Sequence, residues 1–146
     1  MIDIRGKPST DREAIARGVV HMSAPAIQAL QSGKLPKGDA LAMARVAAIM
    51  AAKHTSELIP LCHPIPISHI AVELEVCIDR CEVLIEVAAR AHAATGVEME
   101  ALTAVAVAAL TIHDMCKAVD PAVEIAQVHL VCKSGGRSGK WERTES

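Results

Sequence analysis

Between residues 70 and 89 the chain alternates apolar and polar side chains twice in succession, a pattern few folds can use. Ile70, Val72, Leu74, Val76 and Ile78 alternate with Glu73, Glu75 and Asp79. After Cys81 the period returns through Val83, Ile85, Val87 and Ala89. A period of two gathers the apolar side chains on one face of a strand. Two such runs around Asp79-Arg80 predict an antiparallel hairpin. Its apolar face needs a cover, which must come from the flanking sequence.

The flanks supply helices. Ser23-Ala24-Pro25 reads as an N-cap with a first-turn proline, opening a short helix from Ala24 to Gln31 that stops at Ser32-Gly33. Asp39 caps a second helix reaching Lys53 or Leu58, with Leu41, Ala44, Ala48 and Ala51 or Ala52 at helical spacing. Pro60, Pro64 and Pro66 keep Leu61 to Ser68 extended and stiff. Thr95-Gly96-Val97-Glu98 reads as a capping box for a long helix to about Val119, closed by Pro121. Strands are expected from Ile125 to Lys133 and from Arg12 to Met22. The latter rests on Ala14, Ala16, Gly18, Val20 and Met22, and alanine and glycine are poor strand formers. Residues 1–11 read as a flexible lead-in and residues 134–146 as a flexible tail, around a single domain spanning 1–146. The order β, α(α), β, β, α, β is the split βαβ plan of a ferredoxin-like α+β sandwich, an antiparallel sheet with helices on one face.

Composition narrows the function. Apolar residues make up 51% of the chain, yet there is one Trp and no Phe or Tyr, so the core must be aliphatic. With a single such ring, recognition of nucleic acid by base stacking is nearly excluded. A balance of 15 basic against 17 acidic residues, net −2, gives no excess to neutralise many phosphates. Five cysteines (62, 77, 81, 116 and 132) form no C-x-x-C pair, and the opening Met1-Ile2-Asp3-Ile4-Arg5 turns polar at once. Reduced thiols in a cytoplasmic protein are the expectation. The longest apolar stretch, Ala101 to Ile112, falls short of the ~20 residues of a membrane span.

Three polar clusters interrupt the apolar pattern. His63 in Leu61-Cys62-His63-Pro64 sits on a proline-stiffened loop, placed either to touch a ligand or simply to hold the loop. Cys62, His63 and His69 lack a fourth ligand at a recognised spacing, so no metal site is expected. On the long helix Glu100, Thr103, Val107, Leu110, Asp114 and Lys117 share one stripe. Asp114 and Lys117 are either an ordinary surface ion pair or a part-buried acid/base pair. Glu100 and Asp114 lie fourteen positions apart, roughly 21 Å along the axis at ~1.5 Å per residue. If both serve one small ligand, a two-fold dimer must bring one end from each subunit. The third cluster pairs glycines with cations, in Lys37-Gly38-Asp39 and Lys133-Ser134-Gly135-Gly136-Arg137, as anion sites do.

These segments resemble a known family. Ala52-Lys53-His54-Thr55-Ser56-Glu57-Leu58-Ile59-Pro60-Leu61-Cys62-His63-Pro64, Thr95-Gly96-Val97-Glu98-Met99-Glu100-Ala101-Leu102-Thr103-Ala104, Thr111-Ile112-His113-Asp114-Met115-Cys116-Lys117-Ala118-Val119-Asp120 and the Lys133–Gly139 tail are similar to the cyclic pyranopterin monophosphate synthases, the protein C family of molybdenum cofactor biosynthesis. The likeness covers about Met1 to Gly139. It implies a lyase that converts 3′,8-cyclo-7,8-dihydroguanosine 5′-triphosphate to cyclic pyranopterin monophosphate and diphosphate. It also implies a homohexamer, a trimer of dimers with sites at the dimer interfaces, and no cofactor, with Mg²⁺ on the triphosphate left open. On the matching positions the catalytic residues become Asp114, Lys117 and Lys37. The substrate contacts become Leu61, Cys62, His63, Met99, Glu100, Arg12 and Lys133. The chain departs from the family at His113 (usually Tyr), Ala94 (usually basic) and His54 (usually Arg). A non-catalytic ferredoxin-like nucleotide-binding module is the competing class, since it needs anion loops but no carboxylate–lysine pair.

Overall fold

A computed structural model describes residues 1–144. The predicted hairpin is the edge half of an antiparallel sheet. β2 (Ile67–Cys77) pairs with β3 (Glu82–Ala93) from Ile67↔Ala91 to Cys77↔Glu82, around a single 3-10 turn at Ile78–Arg80. Cys81 closes that turn in the left-handed region, at φ 51°. β1 (Thr10–His21) lies beside β3, and β4 (Glu124–Ser134) lies beside β1, all antiparallel. With β5 (Trp141–Glu142) outside β4, the sheet order is β2-β3-β1-β4-β5. α1 (Ala24–Gln31), α2 (Ala40–Lys53) and α3 (Thr55–Leu58) link β1 to β2, and α4 (Glu98–Cys116) links β3 to β4. Each link skips one strand, which is the split βαβ topology expected of a ferredoxin-like sandwich.

The core lies between one sheet face and the helices α2 and α4. Ala14, Ala16 and Val20 of β1 face Val83, Ile85 and Val87 of β3, beneath Ala101, Val105, Ala108 and Ile112 of α4. Small side chains let the layers approach closely, and at Gly18 an added Cβ would lie 2.6 Å from Val105 Cγ1. α4 is long and apolar enough to cross a membrane by length and composition, but it spends that surface on the sheet and α2.

Several expectations shift. β1 forms despite its alanines because it is the central strand, hydrogen-bonded on both sides, and tertiary pairing overrides propensity. Thr10 and Asp11, read as lead-in, are its first residues. α2 stops at Lys53, with Thr55–Leu58 a separate turn of helix beyond His54. Asp39 caps α2 as expected, its carboxylate accepting the Ala42 N–H at 2.9 Å. The capping box at Thr95 does not form. The cap position is Val97, with no side-chain cap bond, and the Glu98 carboxylate lies over Gly96 and pairs with Lys133 at 2.8 Å. α4 ends at Cys116, and Val119 and Asp120 bond back to the Cys116 carbonyl in a non-helical turn. The segment read as a tail contributes Ser134 to β4 and all of β5, whose Trp141 pairs with Lys133.

Candidate active site

The two ends of α4 carry different equipment. At its N-terminal end a cavity of about 450 Å³ opens between the Leu61–Ile65 segment and the first turn of the helix. Leu61, Cys62, His63, Met99 and Glu100, all singled out in the sequence, line it together. The prolines that keep residues 61–68 extended hold Cys62 and His63 against the helix, and a Cys62 N–H to Ile59 carbonyl bond of 3.1 Å fixes the entry turn. Glu100 is 3% exposed, and burial raises its carboxyl above the ordinary glutamate range. The same burial, with Glu100 close by, pushes the Cys62 thiol up. Burial pushes the Cys116 thiol up to about 11, and Cys132 also shifts upward. All five cysteines are free thiols, and these three are made less reactive by their surroundings.

A second cavity of about 540 Å³ adjoins it across Lys7, Thr95, Gly96 and Glu98, which line both, and is lined also by Thr10, Arg12, Gly136, Arg137 and Ser138. Arg12 projects from β1 to the same sheet face as Ala14, and its Nε and Nη2 donate to the Ala93 and Ala94 carbonyls at 3.2 and 3.4 Å. Its guanidinium lies over Gly136, where a Cβ would collide with it; Gly136 is also held at φ 70°. The glycines after β4 are thus a cradle for this arginine. Lys133, also singled out in the sequence, lines neither cavity and meets their shared wall only through its ion pair with Glu98 at 2.8 Å. Lys7 lines both cavities and was not singled out in the sequence; its only signal was a cation between Gly6 and Pro8.

At the C-terminal end Asp114 is clamped by two lysines. Lys117 Nζ lies 2.7 Å from Oδ1 and Lys37 Nζ 2.6 Å from Oδ2. Lys117 comes from the residue that follows α4, and Lys37 from the turn before α2, where Gly38 N–H bonds to the Leu35 carbonyl at 3.1 Å. Leu35 is buried and pins that turn to the core. Bonds from Lys117, then Lys37, lower the Asp114 carboxyl to about 2. Of the two readings open in the sequence, a surface ion pair or a part-buried acid/base pair, the single chain shows the exposed one: Asp114 is 51% exposed, since the stripe it shares with Glu100 runs from buried to open along the helix. Of the departures, His54 pairs with Glu57 at 2.9 Å and Ala94 lines the cationic cavity; His113 lies near Asp120, whose carboxyl is lowered mainly by the Ser23 and Ala122 N–H groups. Among the described residues no three His, Cys, Asp or Glu side chains converge as metal ligands.

Fold and site together define a class: a ferredoxin-like α+β sandwich with a cationic cavity at one end of its longest helix and a lysine-clamped aspartate at the other. The model of the MoaC family matches residues 1–136, and the chain belongs to that family. It is 54% identical over 140 residues to a protein of Roseiflexus castenholzii named cyclic pyranopterin monophosphate synthase, covering 96% of this chain and 89% of that one. Proteins of the same name from Chloroflexus aggregans and Dinoroseobacter shibae are 55% identical over 146 residues and 52% identical over 142. They cover 100% and 97% of this chain, which spans 88% and 90% of theirs.

Proposed function

We propose that this protein is a cyclic pyranopterin monophosphate synthase of molybdenum cofactor biosynthesis. Its substrate is 3′,8-cyclo-7,8-dihydroguanosine 5′-triphosphate, and it releases diphosphate in the cytoplasm. The observation that carries this reading is the pair of adjoining cavities at the start of α4. One part is walled by apolar side chains, His63 and a buried Glu100, and suits a guanine-derived ring. The other gathers Lys7, Arg12 and Arg137 for a polyphosphate. Arginine and lysine donors make short, charge-assisted bonds to phosphate oxygens.

The reaction opens and recloses a purine-derived ring, which needs several proton transfers. A sugar-derived hydroxyl then attacks the α-phosphorus and diphosphate leaves. Asp114 and Lys117 move the protons, and Lys37 stabilises charge on the transferred phosphoryl group. No resident cofactor enters this scheme. An aspartate with a pKa of about 2 is a weak base in the open chain. Covering it with a second protein surface would desolvate the carboxylate and raise its proton affinity.

That cover is the second subunit. Glu100 and Asp114 sit on one rigid helix, roughly 21 Å apart at ~1.5 Å per residue. One chain therefore cannot bring both to one small ligand. Met43, Val46 and Met50 of α2 and Leu110 of α4 are each more than half exposed, which leaves an apolar surface on the helical layer. A two-fold dimer through this layer sets the start of α4 from one subunit beside the end of α4 from its partner. Three such dimers form the hexamer.

The test is to incubate the protein with the cyclised triphosphate and follow diphosphate release; binding without release would leave only a nucleotide-binding module. Mixing inactive Lys117→Met and Glu100→Ala chains tests the shared site. Heterodimers hold one intact site each, so about a quarter of wild-type activity returns on statistical mixing. No recovery after verified subunit exchange would place the whole site in one chain.

A further inference from the structure

The Thr10 hydroxyl is, among the described residues, the buried side-chain polar atom without a hydrogen-bond partner. Buried hydroxyls are nearly always paired, so an unpaired one asks for an explanation. Thr10 is the first residue of β1 and pairs with Ala93 in register. It stands two residues before Arg12, and strand alternation puts both side chains on the same sheet face. Both line the cationic cavity with Lys7 and Arg137. These cations are donors only, and cannot accept the Thr10 proton. The one carboxylate there, Glu98, is already held by Lys133 at 2.8 Å. The acceptor that the hydroxyl lacks, and that the remaining N–H groups of its cationic neighbours can share, is an anionic oxygen.

We propose that Thr10 is a binding residue for the polyphosphate: its hydroxyl donates to a non-bridging phosphate oxygen seated over Arg12. This rests on the anion reading of the cavity given above. The division of labour is physical. Lysine and arginine attract any anion and lose strength as salt screens them. A short neutral donor acts only at hydrogen-bond range and fixes where one phosphate sits.

The experiment is calorimetric titration of the oligomeric protein with inorganic tripolyphosphate at low and high salt. Thr10→Val keeps the shape and removes only the hydroxyl. It should weaken binding about tenfold at both salt concentrations, without lowering the melting temperature. Thr10→Ser should bind within about threefold of wild type. Arg12→Ala should also weaken binding, with a loss that shrinks as salt rises. If Arg12→Ala weakens binding and Thr10→Val does not, the hydroxyl does not touch the polyphosphate and the Thr10 assignment is wrong. If neither has an effect, the cavity is not an anion site and the underlying reading falls with it. Should the valine variant misfold, Thr10→Ala gives the same comparison.

Discussion

Both ends of α4 carry a carboxylate, and the protein treats the two in opposite ways. Glu100 is buried against the Leu61–Ile65 segment, and desolvation raises its pKa. Asp114 is half-exposed between Lys117 and Lys37, which lower its pKa to about 2. One environment favours the neutral acid by removing water; the other favours the anion by supplying cations. The first end is a formed cavity and the second an open triad. In a shared site, the recognition half is therefore complete within each chain, while the chemical half is exposed until a partner covers it.

The strongest way to break this comparison is to make the two ends behave alike. Lys117→Met should lower turnover on the order of 10³-fold or more while tripolyphosphate still binds, since Lys7, Arg12 and Arg137 of its cavity are untouched. Single-turnover kinetics beside calorimetry would show the split; normal turnover in a folded variant would remove the C-terminal triad from the chemistry. Arg12→Ala should do the reverse, raising KM by roughly 10- to 100-fold with kcat less affected, as expected for a lost charge-assisted phosphate contact.

Smaller effects sharpen the electrostatic contrast. Because the folded pKa of Glu100 is raised, its ionisation opposes folding. Stability should fall as pH climbs through the interval between the ordinary glutamate value and the raised one. Glu100→Gln should flatten that part of the melting-temperature profile; an unchanged slope would contradict burial as the cause. Asp114 has the opposite sign. Its folded pKa lies below 3.8, so its contribution is complete above that value and is lost as pH falls towards about 2. An NMR titration should show its carboxyl midpoint moving upward in Lys117→Met. An unchanged midpoint in that variant would mean that the lysine does not clamp it in solution.

How much of this was legible in the sequence varied with how local each signal was. The hairpin and α4 announce themselves by period, and Asp39 caps α2 as its position suggests. The residues of the Leu61–His63 and Met99–Glu100 motifs meet at one cavity, and Lys37 reaches Asp114 across 77 positions of chain. β1 was harder to read, because its strand character comes from pairing on both sides rather than from its own side chains. The role of residues 1–11 was hidden for a related reason. Gly6, Pro8 and Ser9 read as loose chain, yet Lys7 lines both cavities and Thr10 and Asp11 begin the central strand. The openness of Asp114 was invisible too. An apolar stripe says that a helix is covered, but not at which end the cover stops.

The slot at Gly18 has a mechanical consequence. α4 rests on the centre of the sheet with Val105 seated where any larger residue would place a Cβ 2.6 Å from it. Gly18→Ala would lift the helix as one body, at a cost of about 1–3 kcal/mol for overpacking. Because Val105 stands between Glu100 and Asp114, that lift would shift both ends together. In the dimer proposed above, each subunit would then present one displaced half to its partner at both shared sites. On that proposal, a missing side chain in the core is the gauge block that sets the working gap of two reaction chambers at once.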